Sequence, residues 1–414
     1  MKLLIGGSPC THWSIAQTKN RETEASGIGW ELFLNYCIAR DKYKPDYFLY
    51  ENNKSMSPAI RTQITAELDV EPVLINSALV SAQNRQRLYW VGKRESDGTY
   101  SQVPIEQPED RGILLRDILE TGVAWSEKSY CITATEAKGS NPQQTLTKHH
   151  RTMVAEPIVV NGMKNGKART VDAHMGKLEN NLVPRINNPN QAKQQYDCIA
   201  GPVRVGTIEN DAKNSAFESQ QYRVYSPDGK SVTLCGNGGG LGAETGLYAT
   251  PVGGPDGKAW PVYEVRDGFI AIKGKRYPIK LRDGFYIIRK LTVTECKRLQ
   301  TVPEEYVFPV SNSQAYKMLG NGWTVDVIAH IMSHFEGLTT EPVEVLSMYD
   351  GMSCGHIALG KLGVQPWLLR YYATEIDKYA IQTTQHNFPE TIQLGDAFQV
   401  RNDDWRVEER MKGV

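Results

Sequence analysis

Two patterns alternate at both ends of the chain. Short apolar runs close on glycine or acid: Leu3-Leu4-Ile5 before Gly6-Gly7, Tyr47 to Tyr50 before Glu51, Leu88 to Val91 before Gly92, and Val343 to Tyr349 before Asp350-Gly351. Leu68 to Ile75, with Pro72 to Ile75 as its apolar part, is similar. Runs of this length predict buried strands. Between them lie segments with helical spacing: Trp30 to Ile38, ended by Arg40-Asp41-Lys42; Leu291 to Gln300; Val325 to Met332; and Ile357 to Leu362. Thr292 and Glu295 have the spacing of a capping box. Alternating strands and helices predict an α/β fold around a parallel sheet.

From about Glu95 to Arg289 the helical spacing is lost. Tyr130 to Ala134, Arg169 to Ala173 and Ser231 to Leu234 are strand-like pieces between turns, predicting a mostly β module. The expected domains are therefore 1–94, 95–288 and 289–414. Gly236 to Gly242 is glycine-rich but lacks the Lys-Ser/Thr ending of a phosphate-binding loop.

Charge sharpens this division. The whole chain has 47 basic and 47 acidic side chains, but Trp125 to Arg289 carries 22 Lys and Arg against 15 Asp and Glu. A polyanion is expected to dock on this middle part, with Lys148 to Arg151 and Lys273 to Arg276 as backbone-contacting patches or simply solvated surface. Seven scattered cysteines without a CxxC pair argue for a reducing cytoplasm and against a structural metal site. No apolar run approaches the ~20 residues of a membrane span, and the N-terminus has no secretory pattern.

Chemistry gathers beyond the carboxyl ends of strands in such sheets. Gly6-Gly7-Ser8-Pro9-Cys10 places a thiol there, as a nucleophile or as a packed core residue. The polar stretch Thr11 to Ser26 that follows is expected to be a mobile loop. Glu51 is either a solvated strand end or an acid presented to a cleft. Arg85 and Arg87, two apart, are expected on one face, toward a substrate oxygen or toward solvent. Near the other end, the Asp350 to Gly355 turn opens a helix, Glu375 ends the next strand, and Gly395-Asp396 closes a third. A glycine turn with an acid at the next strand end fits a ribose-bearing cofactor without a pyrophosphate, such as S-adenosylmethionine.

Together these stretches resemble the DNA (cytosine-5) methyltransferases. GGSPC (Gly6 to Cys10) is similar to the nucleophile motif, YENN (Tyr50 to Asn53) to ENV, and Gln83 to Arg87 to QxRxR. Arg289 to Pro303 and Leu319 to Val325 are similar to the last two blocks, and MYDGMSCG (Met348 to Gly355), TEID and GD to the cofactor blocks. The resemblance implies a Rossmann-like, S-adenosylmethionine-dependent sheet with an inserted target-recognition domain. The cofactor blocks come last instead of first, so it also implies circular permutation, with Met1 and Val414 close in space. Asn53 stands where ENV has Val, and Trp323 follows Gly322 where many bacterial members have Ser.

The resemblance further implies attack of Cys10 on cytosine C6, Glu51 at N3 and the exocyclic amine, and Arg85 and Arg87 at the base oxygen or the acid. Tyr349, Asp350, Gly351, Gly355, Glu375, Ile376, Asp396, Pro9, Asn321 and Trp323 are the implied cofactor-binding residues. The expected substrate is a flipped-out cytosine in double-stranded DNA. The expected protein is a metal-free monomer in the cytoplasm, encoded by a bacterium or phage, in a restriction–modification setting. An RNA cytosine-5 methyltransferase and a non-catalytic DNA-binding regulator are the alternatives. The absence of any Pro-Pro argues against amino-methyltransferases.

Overall fold

The computed structural model describes residues 1–9, 12–14, 21–138, 142–148, 151–157, 262–272 and 274–402, with the backbone of five short strands at 163–164, 167–168, 204–207, 223–225 and 247–248. Cys10, the Gly236 to Gly242 loop, two of the strand-like pieces (Arg169 to Ala173 and Ser231 to Leu234), His149, His150, Lys273 and Val414 lie outside the described residues.

The chain begins with β1 (Lys2–Gly6), α1 (Gly27–Tyr43), β2 (Tyr47–Asn53), α2 (Pro58–Leu68), β3 (Val73–Asn76), β4 (Gln86–Arg94) and β5 (Tyr100–Gln102). The strand expected from Leu68 starts only at Val73, because Leu68 is the buried last residue of α2. Ser57 and Pro58 start α2 in the usual way: the Ser57 side chain accepts from Ile60 N, and proline occupies the first turn. Next come α3 (Leu115–Ile118), α4 (Pro142–Lys148) and β6 (Met153–Pro157). The short strands are β7 (Met163–Lys164), β8 (Lys167–Ala168), β9 (Arg204–Thr207), β10 (Arg223–Tyr225) and β11 (Leu247–Tyr248). Strands β12 (Val262–Arg266), β13 (Phe269–Ile272), β14 (Lys275–Pro278) and β15 (Gly284–Lys290) precede α5 (Val293–Leu299), α6 (Asn312–Asn321) and α7 (Val325–Met332). The described chain ends with β16 (Val343–Met348), α8 (Cys354–Lys361), β17 (Leu369–Thr374), α9 (Lys378–Asn387), β18 (Ile392–Gly395) and α10 (Ala397–Asn402).

The main sheet has the order β18-β17-β16-β1-β2-β4-β3, with β5 on β4. Strands β18, β17, β16, β1 and β2 are parallel, and β4 runs against its neighbours. The first strand thus sits in the centre, joined in register to β16: Lys2 opposite Glu344, Gly6 opposite Met348. One core fills each face. Leu3, Ile5 and Leu49 pack with α5, α7 and α8 on one side, and Leu4, Phe48 and Tyr50 with α1 and α2 on the other. This is the alternation of a strand buried on both faces.

The antiparallel sheet β14-β13-β12-β15-β6 has its own core around Val265, Ile270, Ile272 and Ile288. The stretch just after Glu95 behaves differently: Val103, Leu115, Ile118 and Ile132 belong to the core of the main sheet. Tyr130 to Ala134 forms no strand. Two of its amides bond to side chains instead, Tyr130 N donating to Thr152 Oγ1 (2.8 Å) and Ile132 N to Gln83 Oε1 (2.9 Å).

Candidate active site

The parallel strands all bring their carboxyl ends to one edge, and β4, running backwards, brings its first residues there too. Asn53 lies opposite Arg87, and Glu51 opposite Tyr89. The Glu51 side chain lies in that edge and is almost buried. Arg87 Nε meets Glu51 Oε1 at 3.0 Å, and Trp323 Nε1 donates to Glu51 Oε2 at 2.9 Å. A Cβ on Gly7 would stand 2.7 Å from the Glu51 carbonyl oxygen and 3.1 Å from Oε2. Only glycine lets the turn after β1 run this close to the acid.

That turn is pinned by a buried polar network. Ser8 Oγ and Tyr50 OH are 2.7 Å apart, and Asn52 Nδ2 donates to Ser8 O (3.1 Å) and Tyr50 OH (3.2 Å). Asn53 Nδ2 in turn donates to Asn52 Oδ1 (3.0 Å). Ser8, Asn52 and Asn53 are buried, so each bond forgone would leave an unsatisfied group. Ser8 and Asn52 belong to the GGSPC and YENN motifs, but the sequence analysis gives neither a role of its own; their polar character at otherwise apolar strand-end positions was the signal. Pro9, the last residue before Cys10, is exposed.

Part of the segment expected to be a mobile loop is held by side-chain bonds. Trp13 is fully buried with its indole N–H on Glu22 Oε2 (3.0 Å), and Arg21 donates to Trp13 O (3.1 Å) and Ser55 O (2.6 Å).

The Arg85 guanidinium turns to backbone carbonyls. The residue precedes β4, is 4% exposed, and donates to Ile132 O (3.1 Å), Gly320 O (3.2 Å) and Gly322 O (2.8 Å). Its job here is to clamp the end of α6 to the sheet. Cys131 lies between the two arginines, 3.2 Å from Arg85 Nη1 and 3.9 Å from Arg87 Nη2. Burial alone raises its pKa, but the two guanidiniums outweigh burial and hold the thiol below its ordinary value. Sequence reading gave it no part in the site.

At the β16–β18 edge the backbone is unusual. Tyr349, Gly351, Ser353 and Gly395 all have positive φ. Gly351 and Gly395 face open space, where a Cβ would meet nothing. Glu375 Oε2 accepts from Gly351 N (2.8 Å), and Oε1 from Ile376 N (2.7 Å) and Asp377 N (2.8 Å). Ile376 is 75% exposed, an uncovered apolar side chain at the mouth of this edge. The Tyr349 hydroxyl donates to Leu32 O (2.8 Å), and Asp396 Oδ1 accepts from Phe398 N (2.9 Å). Asn321 is exposed at the end of α6.

Three of the residues grouped as cofactor contacts are engaged elsewhere. Trp323 points its N–H at Glu51. Asp350 turns inward, accepting from Ser347 Oγ (2.6 Å), Ser353 Oγ and Tyr371 OH (2.8 Å), and burial pushes its carboxyl up to about 6. Gly355 is a packing glycine: its Cβ position lies 2.2 Å from Ile5 Cδ1 and 2.9 Å from the Tyr371 hydroxyl, so a side chain would have to displace both. Among the described residues no cluster of His, Cys, Asp and Glu could hold a metal ion, and no helix is long and apolar enough to cross a membrane.

Comparison with known proteins agrees with the chemistry. The chain is 25% identical over 393 residues to the orphan methyltransferase M.SPRI of Bacillus phage SPR, covering 80% of this chain and 81% of that protein. It is 26% identical over 261 residues to the orphan methyltransferase M.Rho11sI of Bacillus phage rho11s, spanning 59% of this chain but only 47% of that relative. A solved Entamoeba histolytica methyltransferase, EhMeth, aligns with 80% of this chain and 76% of its own at 11% identity and a TM-score of 0.33. The family model described as C-5 cytosine-specific DNA methylase matches residues 1–238 and 264–336, most of the chain. The chain belongs to the C-5 cytosine-specific DNA methylase family.

Proposed function

We propose that this protein transfers a methyl group from S-adenosylmethionine to C5 of a cytosine flipped out of a specific duplex DNA sequence. The observation that carries the reading is the Glu51 carboxylate, held by Arg87 and Trp323 against the Gly7 turn that leads into Cys10. Each Glu51 oxygen keeps one acceptor position, the pattern needed to hold a proton at N3 and accept from the exocyclic amine. Cys10 thiolate adds to C6, forming the S–C6 bond and moving the ring's electron pair to C5. When bound, S-adenosylmethionine supplies an electrophilic methyl group. Loss of the C5 proton to solvent then restores the double bond and breaks S–C6, freeing Cys10. Taking the base out of the stack costs a few kcal/mol.

The β16–β18 edge fits that cofactor. Ile376 offers an apolar cover, Gly351 and Gly395 leave space, and Glu375 retains acceptor capacity for ribose hydroxyls. Tyr349 would line the same space, and Asp396 would take the adenine amine. For DNA, the small antiparallel sheet exposes Arg266, Lys275, Arg276, Lys280 and Arg282, a basic surface suited to phosphates. The chain order is read as a circular permutation, supported by the in-register pairing of β1 with β16 and by motif blocks that run nucleophile first, cofactor last.

The test is methyl transfer from labelled S-adenosylmethionine to duplex DNA and to tRNA, with base-level mapping. Label at C5 of cytosine within one short DNA sequence is the expected result. Label on tRNA alone would replace this reading with an RNA methyltransferase. No transfer with intact cofactor binding would replace it with a binding protein.

A further inference from the structure

Building on that reading, we propose that Trp323 is a positioning residue for Glu51, and that Arg85 acts on the same carboxylate through it. Trp323 and Glu51 are 272 residues apart, yet the indole N–H donates to Oε2 at 2.9 Å while Arg87 holds Oε1 at 3.0 Å. The two donors approach different oxygens, so together they fix rotation of the carboxylate about its last bond. One donor alone would leave that rotation free. Freezing a reacting group in its working orientation is what such contacts contribute to rate.

The residues on either side of Trp323 are themselves held in place. Gly322 O accepts from Arg85 Nη2 (2.8 Å) and Gln300 Nε2 (3.0 Å). Thr324 Oγ1 donates to Gln300 Oε1 (2.8 Å) and accepts from Ser77 Oγ (2.8 Å). Trp323 O accepts from the Cys354 thiol (3.7 Å) at the start of α8. Gly322, Trp323 and Thr324 are therefore a rigid mount, and Arg85 is one of its bolts. The two arginines of the Gln83 to Arg87 stretch converge on one acid, Arg87 directly and Arg85 through the tryptophan. A serine at position 323 would be too short to reach Glu51 in this way.

The test replaces only the N–H. Site-specific incorporation of 3-benzothienylalanine at position 323 keeps the ring shape and substitutes sulfur for N–H; Trp323→Phe is the second variant. The single-turnover rate of methylation on saturating duplex DNA should fall about tenfold, the loss of one hydrogen bond to a charged group. Affinity for S-adenosylmethionine, measured by calorimetry, should stay within twofold. In a Glu51→Gln background the same replacement should change the rate by less than twofold. A tenfold loss of cofactor affinity with an unchanged rate would overturn the proposal and make Trp323 a cofactor contact. An unchanged rate and affinity, or an undiminished effect in the Glu51→Gln background, would also overturn it. Wild-type protein that transfers no methyl to DNA would overturn the functional reading itself, a separate result.

Discussion

At the β1–β2–β4 end of the sheet edge, polar side chains hold one another: Ser8, Tyr50, Asn52 and Asn53 lock the turn, and Arg87 and Trp323 lock Glu51. At the β16–β18 end, backbone does the holding. Amides grip Glu375, positive-φ residues shape the turn, and Ile376 stays uncovered. The first end is preorganised before any ligand arrives, as expected where charge must be placed to within a fraction of an ångström. The second is a backbone turn beside an exposed apolar side chain, Ile376. Defects at the first end should therefore appear in rate, and defects at the second in cofactor affinity.

The largest expected effect is at Glu51. Glu51→Gln keeps the shape but cannot hold a proton at N3, and should lower kcat by roughly 10²–10⁴-fold. Cofactor affinity should be nearly unchanged. Equal losses in rate and affinity would erase the contrast between the two ends.

Ile376→Ser tests the other side. If the proposed cofactor covers this apolar surface, its removal should weaken S-adenosylmethionine binding about tenfold, corresponding to ~1–2 kcal/mol of buried side chain. The single-turnover rate at saturating cofactor should change little. A slowed rate with unaltered affinity would assign Ile376 to the reaction instead.

A smaller, pH-dependent effect is expected at Asp350, whose carboxyl in the folded protein titrates at about 6 against an ordinary 3.8. Between those values the native state binds more protons than the unfolded chain, so this group's contribution falls as pH rises. Asp350→Asn abolishes that loss. The melting temperature of the variant minus that of the wild type should increase from pH 4 to pH 7, and a flat difference would show that Asp350 is not held as described.

Local chemistry was legible in the sequence. Thr292 and Glu295 form the capping box their spacing predicts, with Thr292 N to Glu295 Oε2 at 2.8 Å. β1 also ends at Gly6, where its apolar run stops, whereas β2 continues two residues past Glu51 to Asn53. What could not be read depends on distant partners. Glu295 is fully buried, a tolerable state because Arg289 pairs with it. Arg85 looks like a partner of Arg87, but carbonyls some 235 residues away claim its guanidinium. Tyr130 to Ala134 has a strand-like composition, yet the amides of Tyr130 and Ile132 bond to the side chains of Thr152 and Gln83. Such outcomes are decided by tertiary contacts, which local propensity does not record.

The most direct test of the central claim is covalent capture at Cys10. Duplex DNA carrying 5-fluorocytosine at the mapped position has no C5 proton to lose, so the S–C6 bond should persist after methyl transfer. With S-adenosylmethionine present, mass spectrometry of the digested complex should find one DNA adduct per protein, on the peptide containing Cys10, and none with Cys10→Ala. An adduct on Cys131 or any other residue, or methylation that proceeds without capture, would contradict the account.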